Sequence, residues 1–138
     1  MPKLVFFVAC ENVLIAEDSK NASLISIFDA LTVPVPPPEL KDAQALIQWS
    51  LVSYWIKKPE DEGKKFEQHT KLVSPNGSIT AESNIEFVLT TRSHRNNVRV
   101  NGFPVIPPGE YKAILSIREL GQSEWLDIAD YSIFVTNQ

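Results

Sequence analysis

Short apolar runs with alternating polarity recur behind turn signals from Leu4 to Val135. The clearest is Glu110-Tyr111-Lys112-Ala113-Ile114-Leu115-Ser116-Ile117-Arg118, launched by Pro107-Pro108-Gly109. A period of two sends alternate side chains to opposite faces of a strand, and many such strands in one small chain make a sandwich or barrel. Residues 4–16 carry apolar side chains at both parities as far as Cys10, which predicts a strand central in its sheet. A polar turn at Glu17-Asp18-Ser19-Lys20-Asn21 leads into residues 23–31, expected to return as a hairpin with Ile25, Ile27 and Leu31 on one face.

Val33-Pro34-Val35-Pro36-Pro37-Pro38 is too rich in proline to join a ladder and reads as a stiff crossover between sheets; its other reading is a ligand for an SH3-type domain. Residues 39–44 have room for one helical turn. Residues 45–57 are the strongest strand, with Ile47, Trp49, Leu51, Ser53 and Trp55 on one face and Gln48, Ser50, Val52 and Tyr54 on the other. A charged tip at residues 58–64 is expected to turn that strand antiparallel into residues 66–73, which stop at Ser74-Pro75-Asn76-Gly77. Residues 84–91 follow as a strand, 92–97 as a polar loop, and 98–105 as a weak strand whose Gly102 and Pro104 suit an edge or a bulge. In residues 125–135 the apolar parity switches from Leu126 and Ile128 to Ala129, Tyr131, Ile133 and Val135, which predicts a β-bulge near Ile128.

The expected fold is all-β: an antiparallel two-sheet sandwich of eight or nine strands, immunoglobulin-like or related, as one domain over residues 1–138. Its predicted core is Phe6, Val8, Ile25, Ile27, Trp49, Leu51, Phe87, Leu89, Tyr111, Leu115, Ile117, Ile133 and Val135.

Charge and cysteine usage narrow the setting. A net charge of −4 speaks against bulk attachment to nucleic acid or an anionic membrane, though a local basic patch can act despite the total. The single cysteine, Cys10, allows no intrachain disulfide, which suits a reducing cytoplasm. In that setting the sequons at Asn21 and Asn76 carry little meaning. Met1-Pro2-Lys3 and the apolar run to Cys10 have a faint likeness to a lipoprotein signal, which a buried first strand explains without cleavage. No segment approaches the roughly 20 apolar residues that span a bilayer.

Candidate chemistry is sparse. His69, His94 and Cys10 fall at no metal-ligand spacing, and neither a Gly-x-Ser-x-Gly elbow nor a glycine-rich phosphate loop is present. Carboxylates cluster at Glu17-Asp18, at Glu60-Asp61-Glu62, and at Asp127 with Asp130. The second group is flanked by lysines and reads as a solvated tip; calcium at loop ends is its alternative. Arg92, His94, Arg95 and Arg99 form the one basic cluster, without an interleaved aromatic to stack a base. Tyr54 and Trp125 are the aromatic side chains placed for exposure, and together they could form a glycan platform.

One resemblance runs through most of the chain. Ala9-Cys10-Glu11-Asn12-Val13-Leu14, Asn21-Ala22-Ser23-Leu24-Ile25-Ser26-Ile27-Phe28-Asp29, Pro107-Pro108-Gly109-Glu110-Tyr111 and Tyr131-Ser132-Ile133-Phe134-Val135 carry it. They resemble the opening, the turn and the closing strand of a bacterial family of small β-sandwich proteins catalogued as a domain of unknown function (DUF6941-like). Ser26 stands where that pattern prefers glycine. The resemblance implies a sandwich and brings no catalytic residues.

These readings converge on a non-enzymatic protein-interaction module of a bacterial cytoplasm, with no cofactor and no metal. Contact with a partner or a second copy is expected through an edge strand at residues 98–105, centred on Val100, with Arg92, Arg95 and Arg99 beside it. The alternatives are a glycan or small-molecule site at Tyr54 and Trp125, a hydrolase built on loop carboxylates, and a subunit of a bacterial or phage assembly.

Overall fold

The computed structural model describes residues 1–40 and 42–138. They form nine strands: β1 (Lys3–Ile15), β2 (Ala22–Ile27), β3 (Ala30–Val33), β4 (Gln44–Ile56), β5 (Lys65–Val73), β6 (Ile79–Val88), β7 (Ser93–Pro104), β8 (Gly109–Glu119) and β9 (Leu126–Asn137). A four-stranded sheet runs β2-β1-β4-β7 and a five-stranded sheet β3-β9-β8-β5-β6. Every pairing is antiparallel except β3 with β9, which is parallel. Both sheets contribute to one apolar core, giving the sandwich-like all-β fold that the alternation predicts.

The strands form where the period is clean. In β4, Trp49, Leu51 and Trp55 turn inward, and in β8 Tyr111, Ala113, Leu115 and Ile117 do the same. Truncating a fully buried leucine such as Leu115 to alanine is expected to cost about 2–5 kcal/mol. The bulge lies where the parity switch puts it: Leu115 pairs Ala129 and Ser116 pairs Asp127, leaving Ile128 without a partner.

Five expectations are corrected. Residues 23–31 are two strands in different sheets, because Phe28 N–H donates to the Ala9 carbonyl of β1 while the Asp29 carbonyl accepts from Phe134 N–H of β9. Ile25 and Ile27 accordingly lie exposed on β2, whereas Leu31 on β3 packs against the core. In β1 the pairing with β4 shifts register between Leu4 and Phe6, so Phe7 and Ala9 face the core while Phe6 and Val8 are only half-buried. Residues 92–97 are no loop: from Ser93 onward they are the first half of β7, paired to β4. The segment 58–64 is no hairpin tip either, since β4 and β5 belong to different sheets. It contains a 3₁₀ turn, Pro59–Asp61, with Asp61 buried and its Oδ2 accepting from Lys58 N–H at 2.8 Å. The helical turn expected at residues 39–44 lies partly outside the described residues, and no helix forms in the remainder.

A polar seam runs between the sheets. Gln68 Oε1 on β5 accepts from Ser53 Oγ at 2.8 Å, Trp55 Nε1 at 3.0 Å and Asn96 Nδ2 at 2.9 Å, while Gln68 Nε2 donates to Thr70 Oγ1. Buried polar groups are tolerated when each finds a partner, and this set fixes β4, β5 and β7 relative to one another.

Candidate functional site

β7 is an edge strand of the four-stranded sheet, and β4 covers only one of its sides. Lys57 N–H donates to the Arg92 carbonyl at 2.9 Å, which sets the phase of this antiparallel ladder. Alternation along such a ladder turns the backbone groups of Ser93, Arg95, Asn97 and Arg99 away from β4, toward the open edge. The side chains of Arg95 and Arg99 share the outer face, about 13 Å apart along the strand. Arg99 reaches the Gln48 amide oxygen at 3.1 Å, and Arg95 forms no ion pair among the described residues.

On its inner side β7 faces the gap between the sheets. Val98 and Val100 are half-buried there, over a crevice of about 210 Å³ that reaches Trp49, Leu51 and Leu72 and is bounded opposite by Ala81 and Ser83 of β6. β6 is the terminal strand of the other sheet, so this side of the sandwich presents two edges beside an opening into the core.

A larger cleft of about 860 Å³ lies on the outer side of the same sheet, under the β1–β2 turn. Phe6 and Tyr54 stack in it, 5.5 Å apart and 4° from parallel, as directly paired residues of β1 and β4. Arg95 pairs with Tyr54 from the other side, Lys20 comes from the turn, and Leu24 from β2. The His94 ring at the rim stacks on Phe87 at 5.0 Å and meets Asn96 Oδ1 at 2.8 Å, so it is held toward the core.

The structure therefore gathers some of the residues expected to make contacts and separates others. Tyr54 and Arg95 adjoin, and Arg99 and Val100 lie on the same strand on opposite faces. Arg92 lies before β7, in a shallow depression with Lys57, Lys58 and Thr91. Trp125 lies just before β9 and packs on side chains of the other sheet, against His69 at 5.7 Å and under the Arg118 guanidinium at 4.2 Å. Tyr54 and Trp125 thus form no joint glycan platform. The sequence places Phe6 in the core rather than at a site and Val98 within the candidate edge strand, and the only signal for Lys20 is its place in a polar turn.

Buried titratable groups lie elsewhere. Burial pushes the Cys10 thiol above its ordinary pKa, against a smaller opposing pull from a backbone hydrogen bond at Asn12. Burial likewise raises the phenols of Tyr111 and Tyr131. Among the described residues no group of three His, Cys, Asp or Glu side chains is placed to hold a metal, and no helix is long and apolar enough to cross a membrane. No protein-family model matches the chain, and no curated protein sequence matches it.

Proposed function

We propose that the chain is a non-enzymatic protein-interaction module of a bacterial cytoplasm that adds an extended segment of a partner to β7. The open edge of β7 carries this reading: an added strand finds unpaired backbone donors and acceptors at Arg95, Asn97 and Arg99. Side chains on such a strand alternate. Those on one face lie beside Arg95 and Arg99 and suit carboxylates; those on the other lie beside Val98 and Val100 at the crevice and suit apolar groups. Self-association through this edge is disfavoured, because a two-fold antiparallel pairing of β7 centred on Asn97 sets Arg95 against Arg99.

The test is hydrogen exchange with a peptide of alternating acidic and apolar residues. Slowed exchange at the Arg95, Asn97 and Arg99 amides is expected. Asn97→Pro, which removes an outward N–H and no bond to β4, is expected to abolish binding with little loss of stability. Binding that leaves these amides unchanged counts against the edge.

The finer fold type is read as immunoglobulin-like. Its support is the pairing of β4 with β7, of β5 with β8 and β8 with β9, and of β3 parallel to β9. Tyr111, near the start of β8, also donates to the Pro107 carbonyl at 2.7 Å, as the tyrosine corner of such domains does. Membership of the bacterial family it resembles has one supporting observation. Ser26 adopts φ +56°, a backbone that suits glycine, at the position where that family prefers glycine.

A further inference from the structure

Of the cleft under the β1–β2 turn the edge-strand reading uses Arg95 alone and leaves the rest of its composition unexplained. Its floor is the stacked Phe6–Tyr54 pair, and two cations, Lys20 and Arg95, approach it from different elements. No carboxylate lines it, and neither cation forms an ion pair among the described residues. Its volume falls in the range of small-molecule sites, roughly 300–1,000 Å³.

Lys20 supplies a second observation. It holds φ +60° in the turn, with its N–H on the Ala16 carbonyl at 2.9 Å and the Ala16 N–H on the Asn21 carbonyl at 2.8 Å. A left-handed backbone is easy for glycine and strained for lysine, and such strain is concentrated at working sites.

We infer that this cleft binds a small organic anion that joins a flat ring to a phosphate, a nucleoside monophosphate being the type. The ring packs on the Phe6–Tyr54 pair, and the phosphate sits between the Arg95 guanidinium and the Lys20 ammonium. Arginine's planar fork suits two phosphate oxygens at once, and lysine adds a point charge on a flexible stem. An aromatic floor beside cations selects for ring and charge in one molecule, so neither half alone satisfies the site.

Isothermal titration of the full chain with AMP, adenosine and inorganic phosphate, each alone, tests this. AMP is expected to bind about tenfold or more tighter than either fragment, and Arg95→Gln or Lys20→Gln to weaken it by about tenfold. Tyr54→Leu is expected to bring AMP down to the affinity of phosphate, with circular dichroism confirming the fold. Lys20→Gly separates function from structure: it is expected to weaken AMP while leaving the melting temperature equal or higher, because the strain is relieved. Four outcomes overturn the assignment: phosphate binding as well as AMP, no binding of AMP, AMP binding unaffected by both cation variants, or a single-stranded oligonucleotide binding about tenfold tighter than AMP.

Discussion

The two sheets turn different faces outward. On the five-stranded sheet several charges are answered by neighbours, although Lys71 and Lys112 form no ion pair among the described residues. Glu67 accepts from Arg118 Nε at 3.0 Å and Nη2 at 2.9 Å, His69 Nε2 lies 2.8 Å from Glu82, and Ser116 and Ser132 donate to Asp127 and Glu110. Trp125, half-buried, lies under the Arg118 guanidinium. On the four-stranded sheet Lys20 and Arg95 have no such partners among the described residues, and they stand beside a stacked aromatic pair and an open strand edge. An unpaired surface cation is cheap in water and by itself signifies little. Its coincidence with an unpaired strand edge and a half-buried stacked pair of rings is what marks the four-stranded side as the one built to meet something.

This contrast depends on the sheets being held in fixed relation, and the largest expected effect lies in the seam between them. Gln68→Leu strips the acceptor from the buried Ser53, Trp55 and Asn96 donors. Each buried donor left unpaired costs about 1–3 kcal/mol, so a loss of about 3 kcal/mol or more is expected in urea unfolding. A loss below about 1 kcal/mol would show that these donors find other acceptors and that the seam fixes nothing. Next in size is Arg118→Ala on the five-stranded sheet. It removes the two bonds to the largely buried Glu67 and the packing on Trp125, with an expected cost of about 1–2 kcal/mol.

The sequence revealed strands wherever only one of their faces is apolar. Residues 45–57 and 111–117, and the bulge at Ile128, were legible because alternation there has a single solution. Alternation could not choose between Phe6 and Phe7, since both parities of β1 are apolar, and a register shift near Val5 decided it. The first half of β7 was hidden for the opposite reason: its inward residue Asn96 is polar and is accommodated by Gln68, a partner about 30 positions away in sequence that no local pattern reveals. Ile25 and Ile27 misled because the β1–β2 hairpin leaves apolar side chains in solvent. The candidate site suffered from the same limits. Tyr54 and Arg95 each stand out in the sequence, but their adjacency depends on the β4–β7 register, set by a stretch of β7 whose polar residues read as a loop.

The phenols give a smaller effect, at places where the faces are joined. Tyr131 donates to the Phe28 carbonyl at 2.7 Å, beside the crossing from β2 to β3, and Tyr111 donates to Pro107. Burial raises both pKa values. The folded chain therefore holds these protons more tightly than the unfolded chain. The resulting stability is full below the ordinary phenol pKa of about 10 and is lost as pH rises through the folded values. Denaturation between about pH 8 and pH 11 is expected to show this fall, shallower in Tyr131→Phe, which itself costs about 1 kcal/mol through the lost hydrogen bond. An unchanged slope in the variant would place the alkaline loss elsewhere.

The smallest stability effect sharpens the contrast most. Arg95→Gln and Arg99→Gln remove charge from the four-stranded side, where among the described residues Arg95 has no ion partner and Arg99 only an amide, so each is expected to leave stability within about 0.5 kcal/mol. Affinity for an acidic extended peptide is expected to fall in both, and its dependence on salt to flatten, because screening acts on the charges that were removed. Arg118→Ala reverses that signature, costing stability while leaving peptide affinity alone. If instead Arg95→Gln destabilises the chain as much as Arg118→Ala does, Arg95 is holding the fold together, and the two faces differ in appearance only.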